Sequence, residues 1–105
     1  MMRIYFVMLE VLVMLRPVAA KIARFDGDLV RQMRRAASSV ALNLAEGSGS
    51  SGGVRTQRYR NALGSARETW ACLDVAEANA YVESIDPELR KKLSRVIATL
   101  IKLTR

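Results

Sequence analysis

Residues 28–46 read DLVRQMRRAASSVALNLAE, and their apolar members decide the fold. Leu29, Met33, Ala36, Val40 and Leu44 recur at spacings of four, three, four and four. At about 100° per residue these positions fall in one narrow arc of an α-helix. Arg31, Arg34 and Arg35 lie on the opposite side, so one face suits a core and the other suits water or a charged partner. Asp26 or Asp28, flanking Gly27, supplies the N-cap, and Gly47 after Glu46 is the expected stop.

The same period continues in both directions. Downstream, Gly47 to Gly53 is a glycine/serine run that reads as a flexible connection. It is not a Walker-type phosphate loop, because it lacks the Gly-Lys-Ser/Thr ending and follows a helix instead of a strand. A long helix is expected over 54–82. Tyr59, Leu63, Ala66, Trp70 and Leu73 form its main stripe, and Trp70 is expected to be largely buried. A second stripe of Gly64, Ala71, Val75, Ala78 and Val82 lies nearly opposite. A helix apolar on two sides is covered on two sides, either by another copy of the chain or by a central place within one bundle. Asp86 as N-cap and Pro87 at the first helical position open a last helix over 87–104, with Leu89, Leu93, Val96, Leu100 and Leu103 as its stripe.

Upstream, Ile4 to Leu15 is apolar except for Glu10. With Met1-Met2-Arg3 before it and Val18-Ala19-Ala20 after it, the segment has the outline of a secretory signal. Glu10 inside the run and Arg16-Pro17 directly behind it argue against that reading. Such a run rises about 18 Å as a helix, short of a hydrocarbon core of about 30 Å. A buried helix over 2–24 remains, kinked or divided by Pro17. With no strand-like alternation, residues 1–105 are read as one all-α domain, an antiparallel up-down-up-down four-helix bundle of cytoplasmic type with no membrane association.

Composition limits the chemistry. Histidine is absent, which excludes a His general base, a Ser-His-Asp triad, a Cys-His dyad and any His metal site. The single cysteine, Cys72, excludes an internal disulfide and a cysteine zinc site, and among alanines it reads as a small packed residue. Inward Glu-x-x-His ligands of a di-iron bundle are missing. The expectation is a non-enzyme with no cofactor and no metal.

The stretch from Gln32 to Ala76 carries a recognisable pattern: Gln32 to Val40, then Asn43-Leu44-Ala45-Glu46-Gly47, then Ala62-Leu63-Gly64-Ser65-Ala66-Arg67-Glu68 and Leu73-Asp74-Val75-Ala76. It resembles the four-helix-bundle proteins encoded in intervening sequences of bacterial 23S ribosomal RNA genes. The resemblance implies an up-and-down bundle that assembles as a ring, with five subunits favoured. It also implies a relative, the basic pentameric accessory protein of diversity-generating retroelements, which binds nucleic acid and a reverse transcriptase. The glycine/serine run at 47–53 departs from the family's shorter, more basic connection.

Charge is clustered. The chain carries a formal +7, yet residues 31–60 hold Arg31, Arg34, Arg35, Arg55, Arg58 and Arg60 against the single acid Glu46. Lys91, Lys92 and Arg95 add a second basic run on the last helix. These nine are the candidate phosphate contacts. Asn43, Glu46 and Glu68 are read as structural polar groups needing partners. Gly64, Ala71, Val75 and Ala78 are the candidate oligomer interface. Two functions follow: a basic homo-oligomer that engages RNA or DNA as an accessory factor, or a scaffold whose arginines meet sister subunits or a protein such as a reverse transcriptase.

Overall fold

The computed structural model describes residues 2–105. Four helices account for it: α1 (Arg3–Ala23), α2 (Gly27–Ser48), α3 (Gly52–Ala78) and α4 (Pro87–Leu103), and no strand occurs among the described residues. Each helix packs on its chain neighbours, and α4 closes the square against α1. Three-residue connections at 24–26 and 49–51 leave no length for a crossover, so α1, α2 and α3 alternate in direction. The result is the all-α up-down-up-down bundle.

The core is the meeting of the four stripes. Met8, Val11 and Ile22 of α1, Met33, Val40 and Leu44 of α2, Leu73 of α3, and Leu89, Leu93, Val96 and Leu100 of α4 are all but inaccessible to solvent. Burying a side chain of this size contributes about 1.5–3 kcal/mol. Helix α1 is part of this core through Ile4, Val7, Met8, Val11, Leu15, Ala19 and Ile22. It runs unbroken through Pro17, so proline does not divide it.

Two ends differ from expectation. Helix α2 does not stop at Gly47 but continues to Ser48. Gly47 is buried, and the ring of Tyr59 lies directly on it: a Cβ there would sit 2.7 Å from Tyr59 Cδ1 and 3.2 Å from Cζ. Its lack of a side chain serves the close approach of α2 and α3, not helix termination. The connection is accordingly short and tied down. Ser48 and Ser50 hydroxyls donate to the carbonyls of Leu44 and Glu46, and Arg55 Nε donates to the carbonyl of Gly47. Gly52 opens α3 with φ +57°.

Helix α3 ends at Ala78, four residues early. Ala80 takes φ +58°, the left-handed turn usually given to glycine, while the amide of Tyr81 returns to the carbonyl of Ala76 at 2.9 Å. This reversal drops Val82 and Ile85 into the core, so Val82 leaves the outer stripe that periodicity assigned it. Tyr81 stacks on Phe25 at 5.4 Å and donates its hydroxyl to Asp26. Asp26 also caps α2 through Leu29 N at 3.0 Å, so one carboxylate joins two connections at the same end of the bundle. Loss of water and the Asp26 charge both push the Tyr81 phenol upward.

Candidate nucleic-acid interface

On the outward face of α2, as on α1 and α4, cations outnumber their partners. Asp28 is bound to Arg31 within the same turn, and Glu46 is bound to Arg58 of α3 at 2.9 Å. Asp26 is engaged at the helix cap and with Tyr81. Arg34 and Arg35 are therefore left exposed, with no ion pair among the described residues. Leu42, 62% exposed, stands two turns beyond Arg35 on that side of α2.

The nine candidate cations form three groups. Arg31, Arg34 and Arg35 lie in the first half of α2. Arg55, Arg58 and Arg60 lie in the first turns of α3, beside the far end of α2. From Arg35 to Glu46 is about three turns, or roughly 16 Å along the axis. Lys91, Lys92 and Arg95 belong to α4, which packs on α1 and α3 rather than α2. There Lys92 Nζ binds Glu10 at 2.8 Å. That hydrogen bond and charge, with smaller help from Arg95 and Arg3, hold the Glu10 carboxyl below the usual carboxylate range.

The polar candidates have identifiable surroundings. Asn43 Nδ2 donates to the Ser39 carbonyl at 2.9 Å and to Ser39 Oγ at 3.1 Å. The Ser65 hydroxyl of α3 donates to the same Ser39 Oγ at 2.9 Å, so these three side chains link α2 to α3. Glu68 is exposed on the outward side of α3, where water serves its carboxylate and no buried partner is needed. Burial, with a smaller push from Glu68, raises the Cys72 thiol, which keeps it protonated and a poor nucleophile.

Gly64, Ala71, Val75 and Ala78 are all exposed. A central place for this stripe within the bundle is thereby excluded. With Val54, Gln57, Asn61 and Glu68 they continue a strict three-four spacing along the outside of α3.

Trp70 differs from its expected burial. It is half-buried between α3 and α4, with the Arg90 guanidinium 4.5 Å from the ring centroid. Arg90 Nη2 also binds Asp74 at 3.0 Å, and Glu77. Arg67, Trp70, Ser94 and Ile97 line an open cavity of about 260 Å³ beside this cluster. Neither Arg67, which the family pattern contains, nor Arg90 was among the nine candidate cations. The usable signal was Asp74 and Glu77 one turn apart beside Trp70, a set of groups suited to an arginine from a neighbouring helix.

No group of three or more His, Cys, Asp or Glu suited to a metal ion occurs among the described residues, and no helix among them is long and apolar enough to cross a membrane. The class defined by fold and surface is a basic four-helix bundle with arginines in excess of its acids. The family model described as 23S rRNA-intervening sequence protein matches residues 19–102, and the chain belongs to that family. Comparison with curated proteins gives no match. Among solved structures, a protein of unknown function from the S23 ribosomal protein family of Bacteroides thetaiotaomicron superposes with a TM-score of 0.83. The similarity covers 97% of this chain and 98% of that one at 16% identity, a likeness of fold.

Proposed function

We propose that this protein is a non-enzymatic, homo-oligomeric bundle that engages nucleic acid electrostatically as an accessory factor in the cytoplasm. The observation that carries this reading is the uncompensated pair Arg34 and Arg35, exposed on α2 while Asp28 and Glu46 are each committed to another arginine. A cation without a local acid keeps its full attraction for phosphate, and release of condensed counterions drives such binding. Three separated basic groups suit a polyanion that passes over the bundle better than a compact anionic ligand. Contacts of this kind position a nucleic acid without reading its bases.

The exposed small-residue stripe of α3 supports self-association, because small side chains let a second helix approach closely. A ring, with five copies favoured by the family resemblance, would repeat each basic group and multiply weak contacts. A protein partner such as a reverse transcriptase would use the same arginines, which is the scaffold reading. Salt-dependent binding separates the two. Anisotropy titration of a labelled oligonucleotide should give log affinity falling linearly with log salt, and replacing Arg34 and Arg35 by Gln should flatten the slope by about 0.7–0.9 per lost contact. Absence of binding at low salt would leave the scaffold.

A further inference from the structure

The groove between α3 and α4 has a chemistry that the outward arginines lack. Its cavity, about 260 Å³, is floored by the indole of Trp70 and the side chain of Ile97, with Ser94 and Arg67 at the rim. The Arg90 guanidinium lies over the Trp70 ring, 4.5 Å from its centroid. The same guanidinium binds Asp74 and Glu77, the acids on this side of α3, and offsets one of their two negative charges; both acids lie beyond Trp70 from Arg67 and Arg60. Arg67 is exposed and has no ion pair among the described residues. Arg60, also unpaired, precedes it by two turns, roughly 10 Å along α3. Glu68 lies about 100° away round the helix, and the stretch of α4 from Ser94 to Lys102 carries no acid.

We infer that this groove is a subsite for single-stranded nucleic acid: one base packs on Trp70 and Ile97 while Arg67, followed by Arg60, holds the adjoining phosphates. Flat apolar surface at the floor and cations at successive turns of one wall are the two things a single strand offers partners for, a π-face and a regularly charged backbone. A duplex keeps its bases stacked inside and offers phosphates and base edges but no free π-face. The inference rests on the nucleic-acid reading above and adds the strand state and the residues that touch the base.

The chain has one tryptophan, so its emission reports this groove alone. The experiment titrates the protein with oligothymidylate and with an abasic oligodeoxyribonucleotide of equal length, following Trp70 emission and, separately, the anisotropy of a labelled strand. Oligothymidylate should quench the emission saturably, and the abasic strand should bind more weakly without quenching. Arg67→Gln should weaken the strand and lower its salt slope by about 0.7. Ser94→Glu, an exposed helical change that leaves the core alone, should abolish the quenching. Trp70→Leu should weaken binding roughly 5- to 100-fold by anisotropy. Equal quenching by the abasic strand, or binding by anisotropy with emission unchanged, overturns the subsite and leaves the outward arginines as the contact. A change of oligomer size by light scattering on Ser94→Glu would show the groove covered by another subunit and also overturns it. Absence of binding by anisotropy removes the nucleic-acid reading, and this one with it.

Discussion

Replacing Gly47 by Ala tests the tightest joint in the bundle. The added Cβ would fall 2.7 Å from Tyr59 Cδ1 and 3.2 Å from Cζ, where ordinary carbon contacts lie at about 3.5–4.0 Å, so the ring must retreat by about 1 Å. Tyr59 borders an open cavity with Met2, Ser48, Arg55 and Leu103, and the ring can move only by giving up the contacts that now hold it. It is 5% exposed, and its hydroxyl reaches Met2 Sδ at 3.7 Å, which ties the start of α3 to the start of α1. Overpacking of this kind costs about 1–3 kcal/mol. Alanine returns up to about 1 kcal/mol of helix propensity, and less than that so near the end of α2. The net expectation is a loss of about 1–2 kcal/mol, or a fall in Tm of roughly 5–10 °C for a domain this size. Urea denaturation at fixed protein concentration measures it, since self-association makes apparent stability concentration-dependent. Tyr59→Leu should relieve the clash, so Gly47→Ala combined with it should cost about 1 kcal/mol less than the sum of the separate changes. A Gly47→Ala protein as stable as the parent, or strict additivity in the double variant, refutes the argument.

Ala80→Gly should stabilise by about 1 kcal/mol in the same assay, because φ +58° is free for glycine and strained for alanine. Glu10 is held ionised by Lys92, so its contribution is present above the unfolded carboxylate value of about 4.3 and is lost as pH falls through the lower folded value. The Tm difference between the parent and Glu10→Gln should therefore be level above about pH 5 and shrink toward pH 3. Val75 is 43% exposed, so Val75→Glu should leave helix content intact by circular dichroism while reducing oligomer size by light scattering. Unfolding by that change would refute an outward stripe.

The helical period alone determined three amphipathic segments and the axis of each buried stripe, and an apolar run marked the first helix. Flanking residues such as Val30, Ala37, Ala41, Ala62 and Ala76 joined the core only through packing, while Leu103 at the end of its stripe stayed exposed. Periodicity follows from backbone geometry, and each stripe must meet another, so short connections leave few arrangements besides an antiparallel bundle. The excess of arginine over acid in 31–60 was equally legible, being a count. Which arginines are free was not. Pairing of Arg58 with Glu46, of Lys92 with Glu10 and of Arg90 with Asp74 and Glu77 joins residues on different helices, and only packing sets those distances. The role of Gly47 was hidden for the same reason. As a residue near a helix end it signals termination, and only the arrival of Tyr59 from α3 makes its missing side chain a condition of packing. Trp70 sat on an apolar stripe and was assigned to the core, yet stripe membership gives an angle, not a depth. The tertiary structure places it at the α3–α4 seam beside Arg90, half in water, where it lines an open groove with Arg67, Ser94 and Ile97.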